Sequence, residues 1–267
     1  MLALMKTAPG PGHLELREVP EPTPAAGQVM IEVHAAGICA SDLHIRDWDI
    51  QLNLRPPVIM GHEFAGRIAQ LGAGVTHLQV GQAVTSETAY RVCGECIPCR
   101  SGEYNVCAGK ELIGYVHNGC FARYIVAPAG RVHPLPDGVS IREAALCEPL
   151  AVVVRALLEL TTIRPGDLVV VAGPGPIGLL AVQVARAAGA RVVAAGAGDG
   201  AARLRLALDL GAERAVDVTR EVLGAVVSEM GHTEGADVYL ECAGAPASVR
   251  TGLEVTRRRG QFTQLGL

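Results

Sequence analysis

The sequence predicts an α/β protein in two parts, a β-rich N-terminal half followed by a doubly wound parallel sheet. Three observations predict it. From Pro149 onward, apolar strands alternate with Ala- and Leu-rich helical stretches of roughly ten residues, the rhythm of βαβ units. Before that point, short alternating apolar runs are separated by Pro and Gly, as in strands joined by tight turns. Hydrophobic residues make up 49% of the 267 but aromatic ones only 3%, so the core must be Val, Leu, Ile and Ala, which suits strands buried under helices.

In the first half, residues 29–33, 66–71 and 121–126 read as strands of a partly barrel-like domain. The second half opens with a helix at 150–160 and a turn at 164–167. Strand 168–172, helix 177–188, strand 191–195, helix 201–210 and strand 214–218 follow. Helix 220–230, strand 236–242, helix 246–257 and strand 260–265 complete the pattern. The domains are therefore expected at 1–149 and 150–267, the second incomplete because a doubly wound dinucleotide domain usually has a further strand. On that reading the last strand is an exposed edge with an apolar face over residues 262–267.

Charge and hydropathy exclude several roles. The net charge is −4, and the one basic block is Arg257-Arg258-Arg259, so a nucleic-acid partner is not expected. The longest uncharged stretch, residues 168–185, contains Pro174 and Pro176 near its middle, which would break a spanning helix. No membrane partner is expected. The apolar start reaches only Lys6, too short for an export signal, and a cytoplasmic location follows. Without export, four of the eight cysteines crowded together point to metal rather than disulfides.

Those four are Cys93, Cys96, Cys99 and Cys107, in a turn-rich lobe at about residues 90–110. Four thiols at this spacing can converge on a tetrahedral zinc. With every position filled by protein, such a zinc is structural. Buried free thiols, or a ribbon binding another macromolecule, are the alternatives. Cys39, His62 and Glu63 are each weak signals alone, but together they supply a thiolate, an imidazole and a carboxylate. That is a donor set for zinc with an open position, able to polarise a substrate oxygen. The third signal is Gly173-Pro174-Gly175-Pro176-Ile177-Gly178, between an apolar strand and an amphipathic helix. There the glycines permit a tight turn, and the helix N-terminus offers free N–H groups to a pyrophosphate. A Gly/Pro loop without a ligand is the bland alternative.

In chain order, Cys39-x-Ser41-Asp42-x-His44, Gly61-His62-Glu63, the four-cysteine lobe, Glu148-Pro149-Leu150 and the glycine motif resemble the zinc-dependent medium-chain dehydrogenases. The segment Cys147-Glu148-Pro149-Leu150 is similar to sorbitol (L-iditol) and other polyol dehydrogenases, and His44 through Trp48 resembles L-threonine dehydrogenases. The resemblance covers essentially the whole chain. It implies a GroES-like catalytic domain, a Rossmann domain, and an active site in the cleft between them. It also implies a catalytic zinc held by Cys39 and His62 with Glu63 in or beside its shell, a second zinc in the cysteine lobe, and NAD or NADP. Glu148 matches a further catalytic-zinc position, with Cys147 its competitor. Ser41 matches the hydroxyl that takes the substrate proton, and His44 the relay to solvent.

The implied reaction is oxidation of a secondary alcohol, a polyol or an amino alcohol such as L-threonine, to a ketone. A catalytically inactive zinc- or dinucleotide-binding protein is the reading from another class. The family forms homodimers or homotetramers, and the short C-terminus leaves that open here. Gly196 stands where an acidic residue would meet the adenosine ribose, and Asp199 is three residues later. Either Arg203 or Arg205 could pair with a 2′-phosphate, or both are solvated helix residues. Trp48, Tyr90 and Phe64 are candidate cleft aromatics, or simple packing.

Overall fold

The computed structural model of the chain describes residues 1–49 and 53–266, except for the side chain of Asp199. It divides into two compact units, Met1–Glu148 and Pro149–Leu267. Among the described residues no helix is long and apolar enough to cross a membrane.

The first unit contains β1 (Leu2–Lys6), β2 (Leu14–Glu18), β3 (Gln28–Gly37), β4 (Val58–Ile59) and β5 (Glu63–Leu71). It continues through β6 (Ala83–Ser86), β7 (Ala89–Arg91), β8 (Glu111–Leu112), β9 (Tyr124–Pro128) and β10 (Val132–Pro134). Five of these form an antiparallel sheet ordered β10-β6-β5-β3-β9, beside a β2-β1-β4 sheet and a β7-β8 ribbon. Alternate residues of β3, Val29 and Ile31, turn inward onto Phe64, Ile68, Val84 and Ile125. The β3–β5 register sets Gly37 opposite Glu63. Because β3 runs on into helix α1 (Ala40–Asp47), Cys39 and the His62–Glu63 pair arrive at one end of the sheet. The strand expected at 121–126 instead begins at Tyr124. The Phe121 ring is occupied against Gly61, where a Cβ would lie 2.5 Å from it.

Two short helices, α2 (Ile97–Arg100) and α3 (Ile141–Ala144), precede α4 (Cys147–Val154). The helix expected at 150–160 thus starts earlier and passes at Arg155–Glu159 into a π-helical turn. Pro149 is tolerated there because N–H groups of a first turn have no intrahelical partner.

The second unit is a parallel sheet of β11 (Leu168–Ala172), β12 (Arg191–Gly196), β13 (Arg214–Asp217), β14 (Ala236–Glu241) and β15 (Thr256–Gln264), ordered β13-β12-β11-β14-β15. Helices α5 (Pro176–Ala187), α6 (Ala201–Asp209), α7 (Leu223–Glu229) and α8 (Pro246–Val255) connect the strands. Period-two alternation sends Val169, Val171, Val192 and Leu240 to one core with α5, and Leu168, Val170, Val193 and Tyr239 to another with α7.

Helix α7 starts three residues later than expected, since the Asp217 carbonyl first turns the chain by accepting from the N–H groups of Arg220 and Glu221. Helix α8 ends at Val255 rather than 257, because the chain is already extended at Thr256. The edge strand β15 does not leave its apolar side bare: Phe262 stacks on Tyr239 at 5.5 Å and Leu265 packs on the core. The expected apolar face also included Leu267, which lies outside the described residues.

Candidate active site

Cys39 is the residue before the first turn of α1, in extended conformation. Its backbone N–H donates to Asp42 Oδ2 at 2.9 Å, fixing the turn. The Cys39 sulfur, a His62 ring nitrogen and a Glu63 carboxylate oxygen all lie within 4.8 Å of one another. Glu63 can turn there only because residue 37 is glycine: a Cβ at Gly37 would collide with Glu63 Oε2. Ser41 Oγ stands 3.5 Å from His62 Nε2.

The electrostatics of this corner are those of ionisable groups crowded together and buried. Burial pushes the Cys39 thiol and the Glu63 carboxyl up. Burial, aided by the Glu63 charge, raises Asp42 to about 6 and Glu148 to about 7. Burial also lowers His62 to about 4, so its imidazole is neutral near pH 7 and keeps a lone pair free. Two buried atoms, Asp42 Oδ1 and His62 Nδ1, have no hydrogen-bond partner and face each other at 3.8 Å. A thiol, a neutral imidazole and carboxylates pressed toward their protonated forms fit a zinc ion, whose charge would reverse each of those penalties.

The expected residues do not all converge. Glu148 lies outside the three-residue cluster, though close enough to sense the Glu63 charge. Cys147 is half-buried and joins no described metal-ligand group. His44 is half-buried and holds Asp49 at 2.8 Å through Nδ1, and no hydrogen bond joins it to Ser41 among the described residues. The candidate aromatics are spent elsewhere. Phe64 is in the core, Tyr90 stacks on His117 at 3.8 Å, and Trp48 caps α1 with the Lys6 ammonium 5.1 Å from its ring.

Sequence reading missed two residues. Asp42 stands behind His62, its Oδ1 3.8 Å from Nδ1, the place that carboxylates commonly take behind metal-bound histidines; its signal was the three-residue spacing from Cys39, the mark of a helix start. Tyr115 is buried with its ring 5.5 Å from that of His62, and nothing in its sequence surroundings announces this.

In the lobe, the Cys93, Cys96, Cys99 and Cys107 sulfurs also fall within 4.8 Å of one another. Cys96 N–H donates to the Cys93 sulfur at 3.4 Å, and with the Glu95 amide it lowers the Cys93 thiol to about 6. Burial and neighbouring thiols push Cys99 up to about 12. Of the four, only Cys107 is buried, and Ile97 and Val106 are exposed, so the lobe has little apolar core of its own. Its stem is the β7–β8 ribbon, closed by Arg91 on Glu111, and Tyr104 ties it to Glu87 at 3.0 Å. These thiols fit a closed structural zinc site.

On the second unit, the chain leaves β11 through Gly173, with φ of 94°, a conformation that L-residues avoid. Gly178 then lets α5 close on the turn, because a Cβ there would strike the Gly173 carbonyl. Gly175 precedes α5 with nothing within 4 Å of where its Cβ would be, leaving room for a ligand, and Pro176 and Ile177 begin the helix. Gly196 ends β12 with its Cα against the Pro174 ring, where a Cβ would be 2.8 Å away. Arg203 and Arg205 are exposed on α6, whereas the reach of the Asp199 side chain lies outside the described residues. A glycine turn feeding a helix N-terminus fits the pyrophosphate of a dinucleotide.

Comparison with known proteins agrees with this chemistry. Residues 25–137 match the alcohol dehydrogenase GroES-like domain, and residues 176–267 match the zinc-binding dehydrogenase domain. A sorbitol dehydrogenase of Halalkalibacterium halodurans is 45% identical over 267 residues, covering 100% of this chain and 77% of the relative. An L-threonine 3-dehydrogenase of Saccharopolyspora erythraea is 40% identical over 270 residues, with 100% and 77% covered. A solved structure from Sinorhizobium meliloti 1021, titled a zinc-binding dehydrogenase bound to NADP, superposes with a TM-score of 0.92 at 31% identity, covering 100% of this chain and 76% of that one.

Proposed function

Since the chain belongs to the zinc-binding alcohol dehydrogenase family, we propose that it oxidises a polyol to a ketone with NAD or NADP, using the Cys39–His62–Glu63 cluster as its catalytic zinc site. The observation that carries this is the convergence of those three donors within 4.8 Å, with Asp42 behind His62. Zinc bound there supplies a Lewis acid for the alcohol oxygen, and nicotinamide accepts the hydride.

The residues divide the remaining work. Cys39 and His62 would hold the metal, and Glu63 is the carboxylate placed to complete its shell, with Glu148, outside the cluster, the other candidate ligand. Ser41 takes the substrate proton at Oγ, and His44, half-buried beside Asp49 and not itself bonded to Ser41, is the outlet to solvent. Cys93, Cys96, Cys99 and Cys107 hold a structural zinc that orders the lobe. Gly173, Pro174, Gly175, Pro176, Ile177 and Gly178 cradle the pyrophosphate. Gly196, packed on the Pro174 ring at the end of β12, puts no carboxylate beside the adenosine ribose, where Arg203 can meet a 2′-phosphate. The domains follow as 1–149 for zinc and substrate and 150–267 for the dinucleotide. The enzyme acts in the cytoplasm on a small molecule, with neither nucleic acid nor membrane as partner.

A second substrate class, amino alcohols such as L-threonine, is favoured by the 40% identical relative named for that activity. Zinc analysis combined with a panel of polyols and amino alcohols, assayed with each cofactor, tests the reading. Turnover of a polyol is the expected result, and comparison of KM values assigns the cofactor. A zinc-replete protein that binds cofactor but turns over no alcohol would sink it.

A further inference from the structure

We propose that the arginine run of β15 builds an anion site on the second unit that takes a phosphoryl group, separate from the glycine turn. The run, Arg257-Arg258-Arg259, is the one basic block in a chain of net charge −4, and the dehydrogenase reading does not use it. The β14–β15 ladder pairs Ala236 with Thr256 and Val238 with Gln261, so an advance of two residues on β14 is met by five on β15. The surplus is a bulge that contains all three arginines. Bulges in edge strands redirect side chains. Arg259 carries the sharpest turn, with φ of 61°, a left-handed conformation uncommon outside glycine and kept only where the surroundings dictate it.

Beside this bulge is a polar cleft of about 400 Å³, lined by Arg164, Arg257 and Arg259 together with Asp167, Asp237 and Gln261. Of its two acids, Asp237 is neutralised by Arg257, with His232 Nδ1 also 3.5 Å away, whereas Asp167 keeps its charge, so three guanidinium groups face two carboxylates. Asp237 accepts from Arg257 Nε at 2.7 Å on one oxygen and from the Leu168 N–H at 2.8 Å on the other. Asp167 accepts from the Arg164 backbone N–H at 2.8 Å. Gln261 is locked to Thr162 by bonds of 2.6 and 2.8 Å, which stiffens one wall. What remains is the guanidinium groups of Arg164 and Arg259, neither with a partner among the described residues.

Guanidinium forks match the paired oxygens of a phosphoryl group and bind it bidentately. Asp167 precedes β11 and Asp237 lies near the start of β14, so the cleft is at the N-terminal ends of the strands. The glycine turn follows the other end of β11. The two sites can be filled at once.

The test titrates cofactor-saturated protein with inorganic phosphate at constant ionic strength, chloride serving as reference, followed by phosphorus NMR linewidth and melting temperature. Saturation with cofactor keeps phosphate off the glycine turn. Arg259→Gly removes the guanidinium while relieving the left-handed strain, and Arg164→Ala removes the second fork without touching the ladder. Phosphate is expected to bind and stabilise the parent chain, with about tenfold weaker binding in either variant and unchanged cofactor affinity. A sugar phosphate binding tighter than inorganic phosphate would identify a phosphorylated metabolite as the ligand, and equal binding would identify the free ion. Phosphate that stabilises no more than chloride, or equally in parent and both variants, overturns the proposal.

Discussion

Asp42 Oδ1 and His62 Nδ1 face each other at 3.8 Å in the buried corner of the first unit, and neither has another partner. This relationship turns the other ring nitrogen of His62 toward Ser41 and leaves it as the donor. Both atoms are buried, and a ring proton on Nδ1 directed at the carboxylate would leave the lone pair of the opposite ring nitrogen for a metal. Replacing Asp42 by Asn is therefore expected to weaken zinc at the Cys39–His62–Glu63 cluster by about 10–100-fold. Competition with a chromophoric chelator measures this, and the four-cysteine zinc should be unaffected in the same sample.

The two metal clusters should come apart on stripping. Removing metal from the cysteine lobe is expected to melt residues 93–107, which have little apolar core, while the five-stranded sheet of the first unit persists. Hydrogen exchange reads this directly: protection lost from the lobe but kept in β3 and β5. Uniform loss across the unit would show that the lobe zinc supports more than the lobe.

Glycines 175 and 178, three residues apart, should behave oppositely. Gly178→Ala drives a methyl into the Gly173 carbonyl and is expected to cost about 1–3 kcal/mol of stability in the second unit. Gly175→Ala meets nothing within 4 Å, so stability should stay within about 0.5 kcal/mol, while cofactor affinity falls because the methyl occupies ligand space. Denaturant melts and cofactor titrations on the two variants separate the effects.

At the stem of the lobe, Arg91 first and His117 second hold the Glu111 carboxyl down at about 2, well below its unperturbed 4.5. A carboxylate with a depressed folded pKa stabilises the fold above its unfolded value and loses that contribution as pH falls toward the folded one. Stability supplied by this group should thus be whole above pH 4.5 and drain away between pH 4.5 and about 2. Glu111→Gln should flatten that part of the melting-temperature profile and change its slope little at neutral pH. An unchanged acid limb would remove the ion pair from the account.

Much of this protein was legible in the residue order because its signals are local. The strand–Gly173–helix unit, the crowded thiols and the period-two valines of β11 each need only neighbours in sequence to be recognised. Helix ends were less legible. Where α8 gives way to β15 depends on an arginine bulge that only pairing with β14 explains. Tyr115 and Asp42 differ in the same way: the latter has a three-residue helix-start spacing to betray it, whereas the former meets His62 across 53 positions of chain. Tertiary structure alone decided that Gly37 lies under Glu63, that Glu148 stands back from the three donors, and that Phe64, Tyr90 and Trp48 are spent on packing. Those outcomes follow from register and burial, which set distances between residues remote in sequence, and no local pattern encodes such distances.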